Sequence, residues 1–219
     1  MRPWLAWALV VGLFSTSEAR GESIVARILY VQPLGACADK AQGADEVSAA
    51  LRAFYPIDVR GLPCVELPAS AYFPPRHRYR AERLLTYLNQ RMPADGWRIL
   101  GLTAVDISTT KDGISDWGVL GLGEMPGKAS VISLFRCKKT ARSQSHAVIR
   151  LAKVAVHEVG HTLGLEHCPT VGCLMEDARG KVATTDRERD FCPRCRALAL
   201  RAGLTIAKNP PAAWLTEER

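Results

Sequence analysis

A histidine-rich run at positions 157–167, HEVGHTLGLEH, constrains the fold of this chain more than any other feature. Residues four apart on a helix lie on one face, so His157 and His161 can face a single metal ion. A glycine three residues after the second histidine can take a positive φ and end the helix. Gly164 is therefore predicted to break the helix and to return His167 to the same ion.

The histidines of this run predict a catalytic metal site and not a structural one. Three protein ligands leave the fourth position of a tetrahedral zinc open for water. Glu158 lies one residue past the first ligand, where it can act as the general base that takes a proton from this water and passes it to the leaving amine. The alternative, an ordinary helix face in a protein core, needs all these residues to coincide by chance. We therefore predict His157, His161 and His167 as zinc ligands and Glu158 as the catalytic residue.

Four other polar residues receive weaker assignments from the sequence. Glu166 and Asp177 lie close enough to the run in sequence to orient a ligand imidazole. His77 and His146 lie outside the run, and we interpret both as surface histidines or as histidines satisfied by a local partner.

Cysteines follow the histidine run at spacings that fit a second metal site. Cys168 follows the third histidine directly, Cys173 comes five residues later, and Cys192 and Cys195 form a C-x-x-C pair. Four thiolates in two pairs can bind a closed, structural zinc. Met175 has no bond to make with an ion, and we expect it to form an apolar floor under the histidines, a role that differs little from that of an ordinary core methionine.

Together these residues give the pattern HExxHxxGxxHC-x4-CxM-x16-CxxC, which resembles that of the archaemetzincins, a family of zinc metallopeptidases. Most metallopeptidases with the long histidine–glutamate motif have an aspartate after the third histidine, where this chain has Cys168. One spacing departs from the family. Sixteen residues separate Met175 from Cys192, where the family motif usually has seventeen.

The resemblance implies a fold, an activity and two metal sites. The expected fold is a metzincin-like zinc-peptidase domain with a long active-site helix and a methionine turn beneath the metal at Met175. The expected activity is hydrolysis of peptide bonds in peptide or protein substrates, with Glu158 as general base. The expected cofactors are two zinc ions per chain, a catalytic one on the three histidines and a structural one on the four cysteines.

Two other classes of function stay open from the sequence. A protein could keep both metals and serve as a catalytically weak or inactive binding or scaffold module. Net charge of +7 and the basic segment 76–80 would also suit a zinc protein that binds nucleic acid. No groove-reading helix with finger spacing accompanies the cysteines, so no nucleic-acid partner is expected. The presence of Glu158 favours the peptidase. The sequence does not indicate exopeptidase or endopeptidase action, the substrate sequence or the oligomeric state.

The N-terminal residues predict export. Arg2 precedes the apolar stretch 4–14, and small residues follow at Ser17 and Ala19, a pattern typical of a secretory signal peptide over residues 1–19. The stretch is too short to span a bilayer comfortably, and the junction has no cysteine for a lipid anchor, so no membrane anchor is expected. A buried amphipathic helix is the alternative. The expected location is periplasmic or extracellular.

The remaining three of the seven cysteines are Cys37, Cys64 and Cys137. An oxidising compartment favours disulfides, and the first two lie near loop-like sequence, so we predict a bridge between them. Cys137 is then expected to be reduced and buried. The alternative treats all three as small buried hydrophobic residues.

Periodicity predicts one α/β domain over residues 20–207, with a flexible tail at 208–219. Hydrophobic residues make up 47% of the chain, enough for one well-buried core. We expect a mixed, mostly parallel sheet packed with helices, in which the outer strand of the hairpin borders the cleft and could pair with an extended peptide. The predicted strands are 23–31, an interrupted strand over 57–67, 97–107, and a hairpin of 118–124 and 129–135; the predicted helices are 45–54, 81–92 and 145–165.

Overall fold

The computed structural model of the chain describes residues 27–35, 37, 43–209, 211 and 214. The predicted signal peptide at 1–19 lies outside these residues, as does most of the predicted tail, so the domain bounds of 20–207 stay a prediction. Across the described segments, no helix has the length and apolarity needed to cross a bilayer.

The described residues form strands in two sheets and helices that alternate with them along the chain. The strands are β1 Ile28–Leu34, β2 Asp58–Gly61, β3 Tyr72–Phe73, β4 Arg78–Arg80, β5 Gly96–Thr103, β6 Ile107–Lys111, β7 Ile114–Val119, β8 Gly121–Gly123 and β9 Ala129–Ser133. The helices are α1 Ala44–Phe54, α2 Ala81–Arg91, α3 Leu134–Cys137, α4 Gln144–Thr162, α5 Thr184–Arg187 and α6 Pro193–Arg201.

The larger sheet has five strands in the order β2-β1-β5-β9-β8. All neighbouring pairs are parallel except β8 and β9, which form the predicted antiparallel hairpin. Every residue of β9 is buried, as expected for a strand covered on both faces. The prediction of a mixed, mostly parallel sheet packed with helices is confirmed, and β8 lies at its edge.

Alternation along β1 divides the hydrophobic core between the two faces of this sheet. Leu29 and Val31 pack into a core that α1 and α4 cover, whereas Ile28 and Tyr30 pack into a second core that α2 covers. Successive strand residues point to opposite faces, so one apolar segment supplies both cores. The long helix α4, which carries the histidines, is thereby fixed against one face of the sheet.

Two predicted strand boundaries are wrong. The predicted strand 97–107 stops at Thr103, and Ile107 begins a different strand, β6, in a separate four-stranded sheet of order β3-β4-β6-β7. Between them the chain turns at Asp106, whose carboxylate accepts hydrogen bonds from Arg78 at 2.7 Å and Arg136 at 2.7 Å. The predicted strand 129–135 ends at Ser133, because that side chain accepts the backbone N–H of Phe135 and starts α3.

Other predicted elements agree more closely. Helices α1 and α2 match the predicted ranges within a residue or two. The predicted strand 57–67 is interrupted, since β2 ends at Gly61 and a single bridge from Val65 to Leu34 follows. The predicted segment 118–124 is divided between β7 and β8.

The predicted disulfide between Cys37 and Cys64 is confirmed. It joins the segment after β1 to the segment after β2. Cys137 is free and buried, as expected.

A buried ion pair anchors α5 to α4. Both carboxylate oxygens of Asp186 accept hydrogen bonds at 2.6 Å from Arg150, whose side chain is only 3% exposed. His146 Nε2 lies 2.8 Å from the same carboxylate, so the interpretation of His146 as a satisfied histidine is confirmed. Partial burial raises the pKa of Asp186, but Arg150 and His146 outweigh this effect and lower the pKa from 3.8 to about 2.

Asp186→Asn should lower the free energy of unfolding near pH 7 by about 1–3 kcal/mol, because Arg150 loses its charged hydrogen bonds. Ionised Asp186 stabilises the fold above pH 3.8, and this contribution is lost as the pH falls from 3.8 toward about 2. Urea denaturation should therefore show a gap between wild type and variant that closes at low pH. Asp45→Asn, on the exposed first turn of α1, should change the free energy by less than about 1 kcal/mol. A gap independent of pH would contradict the assignment.

Candidate active site

The structure brings the three predicted histidine ligands together. His157 and His161 lie one turn apart on α4, which ends at Thr162. Gly164 has φ of 86°, as predicted, and returns the chain so that His167 faces the other two. One nitrogen from each ring lies within 4.8 Å of the others. Such a cluster can hold one metal ion on three nitrogen ligands.

Backbone carbonyls fix the orientation of the two helical histidines. His157 Nδ1 lies 2.6 Å from the carbonyl oxygen of Leu174, and His161 Nδ1 lies 2.7 Å from that of Leu165. A carbonyl oxygen can only accept, so each Nδ1 carries the proton and donates. The lone pair of each imidazole therefore resides on Nε2, the nitrogen left for a metal.

The rings also have the protonation state that zinc needs. Burial lowers the pKa of His157 to about 3 and that of His161 to about 4, and neighbouring imidazoles lower the pKa of His157 further. Both rings are neutral at pH 7, as metal ligands must be. The donor set therefore fits a zinc ion.

The third histidine is more exposed than the other two, and an acidic residue lies nearby. The side chain of His167 is 43% exposed, and its Nδ1 lies 3.9 Å from a carboxylate oxygen of Asp177. That distance is too long for a hydrogen bond, so the orienting role of Asp177 stays a prediction. Glu166 is exposed to solvent.

Glu158 lies beneath the edge strand, among residues that leave it little space. Only 6% of its surface is exposed. Burial raises the pKa of Glu158 to about 8, although the nearby backbone N–H of Gly123 lowers it. A Cβ atom at Gly121 would lie 2.6 Å from a carboxylate oxygen of Glu158. The glycines of β8 thus allow the edge strand to approach this carboxyl group, a role that the sequence prediction did not assign to them.

Met175 packs under the histidine helix, in the position predicted for a methionine turn. It is fully buried, and a Cβ atom at Gly160 would lie only 2.6 Å from its sulfur. Gly160 lies between the two helical histidines and therefore allows Met175 to approach α4 closely.

The four predicted cysteine ligands also lie together. All four Sγ atoms, of Cys168, Cys173, Cys192 and Cys195, lie within 4.8 Å of one another, and none forms a disulfide. The sulfur atoms of Cys168 and Cys192 are 3.7 Å apart, close to the value of about 3.8 Å that a tetrahedral zinc with Zn–S bonds of about 2.3 Å requires. Several thiolates this close need a cation to offset their repulsion. The cluster fits a closed zinc site.

Backbone hydrogen bonds link the cysteine cluster to the histidine cluster. The N–H of Cys168 donates to the carbonyl of Met175 at 2.7 Å, and the N–H of Leu174 donates to the carbonyl of Asp190 at 2.9 Å. Leu174 is also the residue whose carbonyl orients His157. The loop between the two clusters therefore contacts both.

A cleft of about 330 Å³ opens over the histidines. Its walls come from the segment 117–123 that contains β8, from α4, and from the segment after Met175. All three histidines and Glu158 line this cleft. An open cleft over a three-histidine site can admit a substrate to the metal.

Comparison with known proteins assigns this combination of features to a family. A sequence profile of peptidase family M54 matches residues 50–201. The archaemetzincin of Haloquadratum walsbyi is 33% identical over 165 residues, which cover 72% of this chain and 92% of that protein. The archaemetzincin of Haloarcula marismortui is 32% identical, over 71% of this chain and 91% of that protein.

Solved structures agree with the sequence comparisons. The archaemetzincin from Methanopyrus kandleri superposes with a TM-score of 0.68 at 28% identity, covering 84% of this chain and 97% of that one. The archaemetzincin from Archaeoglobus fulgidus in complex with malonate gives a TM-score of 0.65 at 28% identity, over 78% of this chain and 99% of that one. The chain therefore belongs to peptidase family M54, with the archaemetzincins, and is a zinc metallopeptidase.

Proposed function

We propose that this chain hydrolyses peptide bonds with a water molecule activated by zinc, and that Glu158 is the general base. The observation that carries the proposal is the position of Glu158 in the cleft. Its carboxyl group follows the first histidine ligand on α4 and lines the same cavity as all three histidines. A structural metal site has no use for a carboxyl group beside an open coordination position.

The roles of the individual residues follow from this placement. His157, His161 and His167 would hold the zinc, which when bound polarises the scissile carbonyl and lowers the pKa of its water. Glu158 would take the proton from the attacking water and deliver it to the leaving amine. The close approach of β8 at Gly121 would limit the positions open to that carboxyl group.

The substrate we propose is an extended peptide paired with β8. That strand is the edge of the five-stranded sheet and lines the cleft, so its outer edge faces the space above the histidines. An extended chain can add to such an edge through backbone hydrogen bonds. This arrangement would place a peptide carbonyl above the metal site.

A second, structural zinc on the four cysteines completes the proposed site. The cysteine cluster fits a tetrahedral zinc, and the loop that it holds carries the carbonyl of Leu174 to His157. We propose two zinc ions per chain, with the second one stabilising the geometry of the first.

Glu158→Gln should keep the zinc and lower kcat/KM by at least about 10²-fold, because glutamine cannot accept the proton. His161→Ala should lose both the catalytic zinc and the activity. A peptide-library assay with and without a chelator, combined with elemental mass spectrometry, measures both properties. Full activity in Glu158→Gln would contradict the mechanism. Zinc-loaded wild type without hydrolysis of any peptide would favour the scaffold function.

The double substitution Cys192→Ser with Cys195→Ser should reduce the zinc content from about two ions per chain to one. The remaining zinc should be extracted by a chelator about 10- to 100-fold more readily, because the loop that orients His157 loses its anchor. Cys137→Ser is the matched control, a buried thiol outside the cluster, and should retain both ions. Two zinc ions in the double variant would contradict the cysteine assignment, and unchanged retention of the last one would contradict the link.

We also propose that the chain is exported and cleaved after Ala19. The disulfide between Cys37 and Cys64 supports this, since such bonds persist mainly in oxidising compartments. Expression of the full chain should give an exported protein whose N-terminal sequence begins at Arg20. A chain that lacks residues 2–19 should stay in the cytoplasm with both thiols reduced. Retention of residues 1–19 in the exported protein would contradict cleavage at this site.

A further inference from the structure

Glu188 is a buried acidic residue that the proposed chemistry does not use. It follows α5, lines the active-site cleft, and is only 2% exposed. Among the residues that the structure describes, none donates a hydrogen bond to its carboxylate or forms an ion pair with it. Its oxygens are nevertheless not among the fully enclosed polar atoms without a partner, so the carboxyl group opens onto the cleft, where a ligand can reach it.

The cations around Glu188 are engaged with other groups. Arg187 forms an ion pair with Glu176, and Arg150 forms one with Asp186. Lys153 donates to the carbonyl of Thr185 at 2.9 Å and lines a different cavity. Its charge lowers the pKa of Glu188, but burial dominates and raises that pKa to about 8. Among the described residues, no cation forms an ion pair with this carboxyl group, and Lys153 acts on it through its charge alone.

Two basic side chains line the same cleft, and neither forms an ion pair with Glu188 in the described structure. Lys111 lies 3.9 Å from the carboxylate of Asp177, and Arg179 is exposed to solvent. The wall beside Glu188 is partly apolar, since Val154 and Leu120 line the same cleft. A side chain with a long aliphatic stem and a cationic end would match an apolar wall that leads to a carboxyl group.

We propose that Glu188 is a specificity-determining residue that selects peptides with a lysine or arginine side chain next to the scissile bond. The inference rests on the proposed peptidase function. The methylene groups of such a side chain would pack on Val154 and Leu120, and its charged end would donate to the carboxylate of Glu188. Charge-assisted hydrogen bonds of this kind are the strong ones, and they offset part of the desolvation cost that both charges pay in a buried site.

Binding by zinc-loaded Glu158→Gln tests the proposal without hydrolysis. Peptides that differ only in arginine or its neutral analogue citrulline should differ in Kd by about 10- to 100-fold, with arginine the tighter ligand. Adding Glu188→Gln to that variant should remove the difference, whereas adding Glu46→Gln, on the exposed face of α1, should leave it intact. Fluorescence anisotropy of labelled peptides measures each Kd.

Hydrolysis by otherwise wild-type protein gives an independent readout. Glu188→Gln should lower the ratio of kcat/KM for lysine over norleucine substrates by about 10- to 100-fold and change the norleucine value only a few-fold. Equal binding of arginine and citrulline peptides would overturn the proposal. So would a Glu188→Gln variant whose Tm shifts while its ratio of kcat/KM for lysine over norleucine substrates stays unchanged. If arginine is discriminated but no peptide is cleaved, the inference stands and the proposed hydrolysis fails.

Discussion

The geometry of the metal site depends on two hydrogen bonds from imidazole N–H groups to backbone carbonyls. His157 and His161 belong to a rigid helix, but their acceptors, Leu174 and Leu165, belong to the loop that leaves this helix. The loop therefore sets the tautomer and the rotation of the His157 and His161 rings, although both histidines belong to the helix. Any change that moves the loop changes the ligands, even when the helix stays in place.

The loop also contacts the cysteine cluster, and the two clusters are adjacent in sequence. His167 and Cys168 are neighbours but face different clusters. Met175 accepts the N–H of Cys168 and also packs against Gly160, between the helical histidines. A structural zinc on the thiolates would stabilise a backbone that has too few residues to form a core of its own. His167 and Cys168, which are adjacent in the chain, are thus the point at which the two clusters share one backbone.

Much of the site could be predicted from sequence because its constraints are local. Helical spacing places His157 and His161 on one face, and a glycine at 164 has only a few conformations that continue the chain. The second sheet could not be predicted, because the segment 107–119 is largely polar and Asp106, just before it, is held by Arg78 and Arg136 from other parts of the chain. These partners are far apart in sequence, so no periodicity indicates them. The close approach of the β8 glycines to Glu158 is likewise a contact between distant segments.

Two buried carboxyl groups share the cleft, and their surroundings differ in an informative way. The backbone N–H of Gly123 lowers the pKa of Glu158, whereas Glu188 receives no hydrogen bond from the described part of the chain. Both have a raised pKa, chiefly because of burial, and the charge of Glu188 raises the pKa of Glu158 further. A leucine or glutamine at 188 would avoid that cost, so stability alone does not account for the glutamate. A cation that enters the cleft from outside would remove the repulsion and complete the hydrogen bonding of Glu188 in one step, which is why substrate charge is the property that this residue can sense.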